Sequence, residues 1–259
     1  MSNTSEIYGI ILTLMFAVAA GLVGSFALMK KMLLAADVIS HVALPGLGVA
    51  FLFGFNPLFG GAATLFLGTL LIWQLQRKTG LATDAMIGVV FAGSLAVGAA
   101  LTPKEDLVEA LFGSFQTLTL SAFLIGAAAV LLVILVAVRF RDQFLLSLFS
   151  PELAAAVGVR LDRLNLYFLL IFSLTVLVGL RFMGALLAGA LVIIPAATGR
   201  QLSSNIRRFL FTSSAISVLA VALGLAVSRY LPRFSLGPTI AIISALLFAI
   251  SLFRRGRPL

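Results

Sequence analysis

Apolar runs of about 20 residues, the length that crosses a bilayer as a helix, alternate along this chain with short polar clusters. This block pattern dominates over any alternation of period two. It predicts helices and argues against half-buried strands. The runs fall at residues 7–29, 32–53, 57–76, 83–101, 118–138, 164–180, 182–198, 209–227 and 238–253. Pro57 suits a first helical position, because its missing N–H would be unpaired there in any case. Lys30-Lys31, Arg77-Lys78 and Arg139 with Arg141 close the first, third and fifth runs. The polar segments between runs are 102–117, which holds Lys104, Glu105, Asp106 and Glu109, and 142–163. The pattern therefore predicts an all-α polytopic membrane protein with about nine (eight or nine) transmembrane helices.

Composition strengthens this reading. Hydrophobic residues make up 61% of the 259 positions and charged residues only 10%, with a mean hydropathy of +1.18. A soluble domain carries roughly 25% charged residues, so lipid must replace water over most of the exterior. The length leaves room for one membrane domain, residues 1–259, and none for a soluble one. No internal repeat stands out. Met1 to Glu6 contain no basic residue and the first apolar run is long, so a cleavable signal peptide is not expected. Many spans are rich in small residues, as in 17–24, 93–100 and 184–190, which lets helices approach closely in lipid.

The net charge of +9 would suggest nucleic acid in a soluble protein. Here the basic residues cluster at the ends of apolar runs, the pattern of loops held at an anionic cytoplasmic surface, and no nucleic-acid partner is expected. With nine alternating spans, 14 of the 18 Lys and Arg residues fall on one side, leaving only Lys104, Arg181, Arg229 and Arg233 on the other. The richer side is cytoplasmic. The N-terminus is then outside and the C-terminus, with Arg254, Arg255 and Arg257, inside.

Two segments carry chemistry. The first is Ala35-Ala36-Asp37-Val38-Ile39-Ser40-His41-Val42-Ala43-Leu44-Pro45-Gly46, in which His41 is the only histidine of the chain. The i, i+4 spacing places Asp37 and His41 on one helical face, about 6 Å apart. A carboxylate at mid-membrane costs about 2.5–3.5 kcal/mol even on the lenient insertion scale, and something must offset that. The pair can ligate a divalent cation, hydrogen-bond internally, or relay protons. Two ligands are too few for a tight site, whereas a two-fold dimer would supply two Asp and two His, a set suited to Zn²⁺ or Mn²⁺. The absence of cysteine disfavours Cu(I) and excludes disulfides. Ser40 points about 100° away from this face. Pro45, followed by Gly46, predicts a kink, and so does Pro195 in the seventh run. Asp84, at the start of the fourth run, reads as an interfacial first-turn residue.

The second segment is Ser150-Pro151-Glu152-Leu153-Ala154-Ala155-Ala156-Val157-Gly158, within the cytoplasmic loop 150–163. Ser150 is an N-cap candidate, Pro151 fits the first helical position, and Glu152 suits the positive helix end. Gly158 can close the helix with a left-handed residue. The result is a helix of about two turns, followed by Arg160 and Arg163, in a place suited to docking a soluble partner. No Gly-x-x-x-x-Gly-Lys-Ser/Thr loop is present, so any ATP hydrolysis would belong to a partner, and the chain is not expected to be an enzyme. A proton-coupled secondary transporter or channel is the alternative, although such proteins usually hold more intramembrane ionisable groups.

Three stretches resemble the membrane permease subunit of ABC-type zinc/manganese/iron importers, the high-affinity zinc uptake permease family. They are residues 36–46, similar to Gly-Asp-x-Ile/Leu-Ser/Ala-His-x-x-Leu-Pro-Gly; Leu111-Phe112-Gly113-Ser114; and residues 182–198, similar to Val-Gly-x-Leu-Leu followed by Leu-Leu-Ile-Ile-Pro-Ala-Ala. Ala36 stands where the family often has Gly, and Gly199 where it often has Ala. The resemblance implies a homodimer working in the bacterial cytoplasmic membrane with two cytoplasmic ATP-binding-cassette ATPase subunits and an extracytoplasmic metal-binding protein. It implies that Pro151 to Gly158 form the coupling helix that seats in the ATPase, and that Asp37 and His41 are metal ligands in the translocation path. The metal (Zn, Mn or Fe) would be cargo, with no permanently bound cofactor. A permease for a metal chelate such as a siderophore is a further alternative. The orientation predicts that a C-terminal green fluorescent protein fusion fluoresces and a C-terminal alkaline phosphatase fusion is inactive; the reverse pair of results would overturn it.

Overall fold

The apolar blocks are helices in the structure, a computed structural model that describes residues 3–33, 35–101, 118–230 and 236–253. Among these residues there is no strand. The helices are α1 (Asn3–Met29), α2 (Ala35–Ser40), α3 (Leu44–Phe53), α4 (Pro57–Thr79), α5 (Thr83–Leu101), α6 (Leu120–Arg139), α7 (Arg141–Phe149), α8 (Pro151–Ala156), α9 (Leu161–Met183), α10 (Ala185–Leu202), α11 (Ile206–Tyr230) and α12 (Leu236–Leu252). Among the described residues seven stretches are long and apolar enough to cross a membrane: α1, the α2–α3 run, α4, α5, α6, α9 and α11. The remaining two predicted spans coincide with α10 and α12, whose apolar parts are shorter. The expectation of about nine spans rests on those two. The polar segment 102–117, with Leu111-Phe112-Gly113-Ser114, and the tail 254–259 lie outside the described residues.

Central helix α1 packs against α6, α9, α10 and α11; its Phe16 and Phe26 are fully buried, the Phe26 ring centroid lying 5.4 Å from that of Phe144 on α7. Helices α3, α4 and α5 form a second group. Between the two groups lies α2, which touches α5, α9 and α10. Several hydroxyls inside the bundle bond within their own helices: Thr13 donates to Gly9 O, Ser25 to Gly21 O and Thr175 to Ile171 O, at 2.7–2.8 Å. With no water in the hydrocarbon core, such groups must find protein partners. Thr69 of α4 and Ser173 of α9 bond across the interface at 2.5 Å.

Close approach of α3 to α4 explains Gly46. A Cβ there would collide with the Gly60 carbonyl, and one at Gly60 with the Gly46 carbonyl. Since apolar burial gives helices no net attraction in lipid, contact between bare backbones is what holds this crossing.

The turn after α1 is tight because Lys31 adopts a left-handed conformation (φ 59°). Met32 N–H bonds to Ala27 O at 2.8 Å and Lys31 N–H to Leu28 O at 3.0 Å, a Schellman closure with lysine where glycine is usual. This turn splits two lysines that look alike in sequence. Lys31 is exposed. Lys30 turns inward, donates to Asn165 Oδ1 at 2.8 Å, and lies 4.8 Å from the centre of the Phe168 ring. Burial lowers its pKa from 10.5 to about 8.

Below pH 8, folding therefore buries a charge that the unfolded chain keeps in water. Between pH 8 and 10.5 the unfolded state binds more protons, so stability rises with pH across that window. The thermal midpoint of the detergent-solubilised protein is expected to gain more from pH 8 to pH 10 than that of Lys30→Met. Equal gains in the two proteins would contradict the burial of this charge.

Candidate functional site

Pro45 builds the site by what it lacks. It has no N–H to return to the carbonyl of His41 four residues earlier, and its ring crowds that carbonyl. The His41 carbonyl instead accepts from Leu44 N–H, and His41–Ala43 tighten into one 3₁₀ turn between α2 and α3. The predicted kink is thus a change of helix type one turn before the proline. Pro195 differs: α10 runs through it without a break.

Asp37 sits in the first turn of α2, the end where aligned peptide dipoles favour negative charge. Its side chain is exposed in the protomer, and that of His41 is half-buried. Among the described residues no hydrogen bond or ion pair joins the two, so the pair is not an internal lock. Ser40 is occupied elsewhere, donating to Asp37 O at 2.6 Å, which leaves it no part in this face. The His41 ring meets Phe91 of α5 edge-on, with centroids 5.7 Å apart. On the α10 side, a Cβ placed on Gly189 would lie 4.0 Å from Asp37 Oδ1. A larger residue there would crowd the carboxylate. Phe91 and Gly189 were not recognised as part of this site from sequence, because neither lies near Asp37 in the chain.

No group of three or more His, Cys, Asp or Glu side chains gathers among the described residues. Asp37 and His41 are thus two candidate ligand side chains with no third of these types gathered beside them among the described residues.

The loop after α6 is more ordered than expected. Residues 141–149, read in the sequence as part of a hydrophilic connection, form α7. Helix α8 follows with Pro151 in its first turn and Ser150 at the N-cap position, but the Ser150 side chain makes no capping bond. The first bond of the helix runs from Ala154 N–H to the Ser150 carbonyl at 2.9 Å. At the other end Gly158 is left-handed (φ 83°), with Val159 N–H on Ala154 O and Gly158 N–H on Ala155 O, a full Schellman motif. Ala154 is buried, while Phe149, Leu153 and Val157, spaced four apart, are 64, 54 and 61% exposed. Together they form an exposed apolar row at the end of α7 and along α8. Asp84 lies exposed in the first turn of α5, as its position in the sequence suggested.

Residues 6–255 match the ABC 3 transport family. The chain is 30% identical to the manganese import system permease protein ScaB of Streptococcus gordonii, over 94% of this chain and 89% of that protein. It is 29% identical to the high-affinity zinc uptake system membrane protein ZnuB of Haemophilus influenzae, over 96% and 95% respectively. In structure it resembles a chain of PsaBC from Streptococcus pneumoniae in complex with Fab, with a TM-score of 0.78, 26% identity, and coverage of 95% of this chain and 90% of that one. The helix order, the broken second span and a family match over nearly the whole length agree: the chain belongs to the ABC 3 transport family.

Proposed function

We propose that this protein is the membrane permease subunit of an ATP-driven importer of divalent metal ions (zinc, manganese or iron). The observation that carries this reading is the exposed carboxylate of Asp37 on an apolar span, one turn from the only histidine and not paired with it. A bare carboxylate facing lipid would cost about 2.5–3.5 kcal/mol. A hydrated path that receives a cation removes that cost. The relatives named for manganese and zinc import are consistent with such cargo.

Two ligands per protomer call for a second copy. In a homodimer with the Asp37 faces opposed, two carboxylates and two imidazoles surround the path. Most of the span-length window of α5 is unburied in the protomer, only 22% of it being covered, which leaves that flank of the site free to meet a partner copy. The site holds its cargo briefly. Oxygen and nitrogen ligands bind these ions less tightly than a thiolate cage, and conduction requires release. An extracytoplasmic metal-binding protein supplies the ion. Two cytoplasmic ATPase subunits receive the α8 segments, with Phe149, Leu153 and Val157 as the apolar contact. The N-terminus lies outside, the C-terminus inside, and α10 and α12 complete nine spans.

In the complete transporter reconstituted in liposomes, Asp37→Ala and His41→Ala are expected to abolish metal uptake while the subunits still assemble. Normal uptake by both would sink the ligand assignment. Metal flux through the permease alone, without ATPase or ATP, would favour a secondary transporter. Leu153→Asp puts a charge in the docking row and is expected to remove the ATPase from the purified complex; undiminished co-purification would show that α8 is a mere connection.

A further inference from the structure

A set of polar contacts at the cytoplasmic end, which the proposed metal site does not use, joins three helices that are distant in sequence. Lys30, just past the end of α1, donates to Asn165 Oδ1 at 2.8 Å. Asn165, near the start of α9, donates from Nδ2 to Gln76 Oε1 on α4 at 2.7 Å. Trp73, one turn earlier on α4, donates its indole N–H to the Asp162 carbonyl at 2.9 Å. The Arg77 guanidinium lies 4.9 Å from the centre of the Trp73 ring, and its Nε is 3.4 Å from the Asp162 carboxylate.

Position gives these contacts meaning. Asp162 and Asn165 follow the α8 segment directly, since α9 begins at Leu161, three residues after Gly158. At the other end, Lys30 opens the tight turn into α2, seven residues before Asp37. We propose that Lys30, Asn165 and Gln76, braced by Trp73 on the Asp162 carbonyl, form the relay that carries displacement of the α8 segment to the helix bearing Asp37. It rests on the reading of the chain as a permease driven through α8.

Three observations favour a relay over simple anchoring. Lys31 already serves as the exposed basic residue at this membrane face, so Lys30 is not needed there and turns inward. Its burial is costly, and desolvation lowers its pKa to about 8; apolar packing would have been the cheaper way to hold the helices. Helices α4 and α9 are also fixed to each other at Thr69 and Ser173, so the Asn165–Gln76 bond joins parts that move together, whereas the Lys30 bond reaches the residue just past the end of α1. A cavity of about 360 Å³, lined by Lys30, Trp73, Gln76, Arg77, Asp162 and Asn165 among others, leaves room for the junction to shift. The Arg77–Asp162 pair is exposed and contributes little by itself.

The test uses the complete transporter in liposomes, comparing ATP hydrolysed with metal taken up. Lys30→Met and Asn165→Leu break the bond. Asn165→Asp keeps an acceptor for Lys30, and the Gln76 amide can turn to donate to it. Both bond-breaking variants are expected to hydrolyse ATP at near the wild-type rate while metal moved per ATP falls by about fivefold or more, the scale of typical coupling between sites. Asn165→Asp should transport like wild type. Emission of Trp73, the only tryptophan of the chain, checks in the isolated permease that the junction is folded. Unchanged metal per ATP in both variants would overturn the relay. So would a parallel loss of hydrolysis, uptake and thermal stability that Asn165→Asp does not rescue, since that is the signature of a merely structural contact. Metal-dependent uptake by wild type, abolished in Asp37→Ala, shows in the same experiment that the underlying permease reading stands when the relay alone fails.

Discussion

The peptide nitrogen of Pro45 carries no hydrogen, and in a bilayer that single absence has consequences that water would have softened. The carbonyl of His41 must still be paired, because lipid offers it nothing. It takes the Leu44 N–H. The helix tightens for one turn, and His41 sits at the point where α-helix becomes 3₁₀. The local cost of the break is met by contacts on both sides of it: α3 presses against α4 through facing glycines, and α2 is enclosed by α5, α9 and α10. A break that could have been a weakness is held in one geometry, and the ionisable pair is carried on it.

The all-helical character and the placement of seven apolar spans were legible in the sequence because each run independently answers the demand for a helix that pairs its own backbone in lipid, whereas the count of nine rests on the shorter α10 and α12. Legible too were the ends of α8, where Pro151 and Gly158 act locally. Asp37 and His41 stand out for a related reason: an acid and a lone imidazole occupy a segment with no other reason to be polar. What was not legible depends on contacts between distant parts. Helix α7 was read as loop because its nine residues mix Arg141, Asp142 and Gln143 with Phe144 and Leu145, and only packing of Phe144 against Phe26 and Phe168 gives them a face to bury. Ser150 stands at the N-cap position of α8, but its side chain makes no capping bond. Pro45 and Pro195 looked equivalent, yet only the first breaks its helix, so the identity of the residue alone does not set the outcome.

Lys30 and Lys31 show the same limit most sharply. Adjacent lysines at the end of an apolar run both read as cytoplasmic anchors. A left-handed turn at Lys31 sends one side chain to the surface and the other to Asn165. Nothing in the local sequence distinguishes them, since the partner lies 135 residues away.

An incomplete site is also the physically sensible one for cargo. A resident cofactor is best held by a full ligand set within one chain, which lowers its dissociation and keeps its geometry. An ion that must leave needs ligands that come together and part. In the proposed site, Asp37 and His41 would supply half of such a set, on a segment whose base is tied, through Lys30 and Asn165, to the segment following α8. If the other half comes from a second copy, the distance between halves becomes the variable that sets affinity. Displacement of a few ångströms then takes the ion from four protein ligands to two, which is enough to convert binding into release without any change in the ligands themselves.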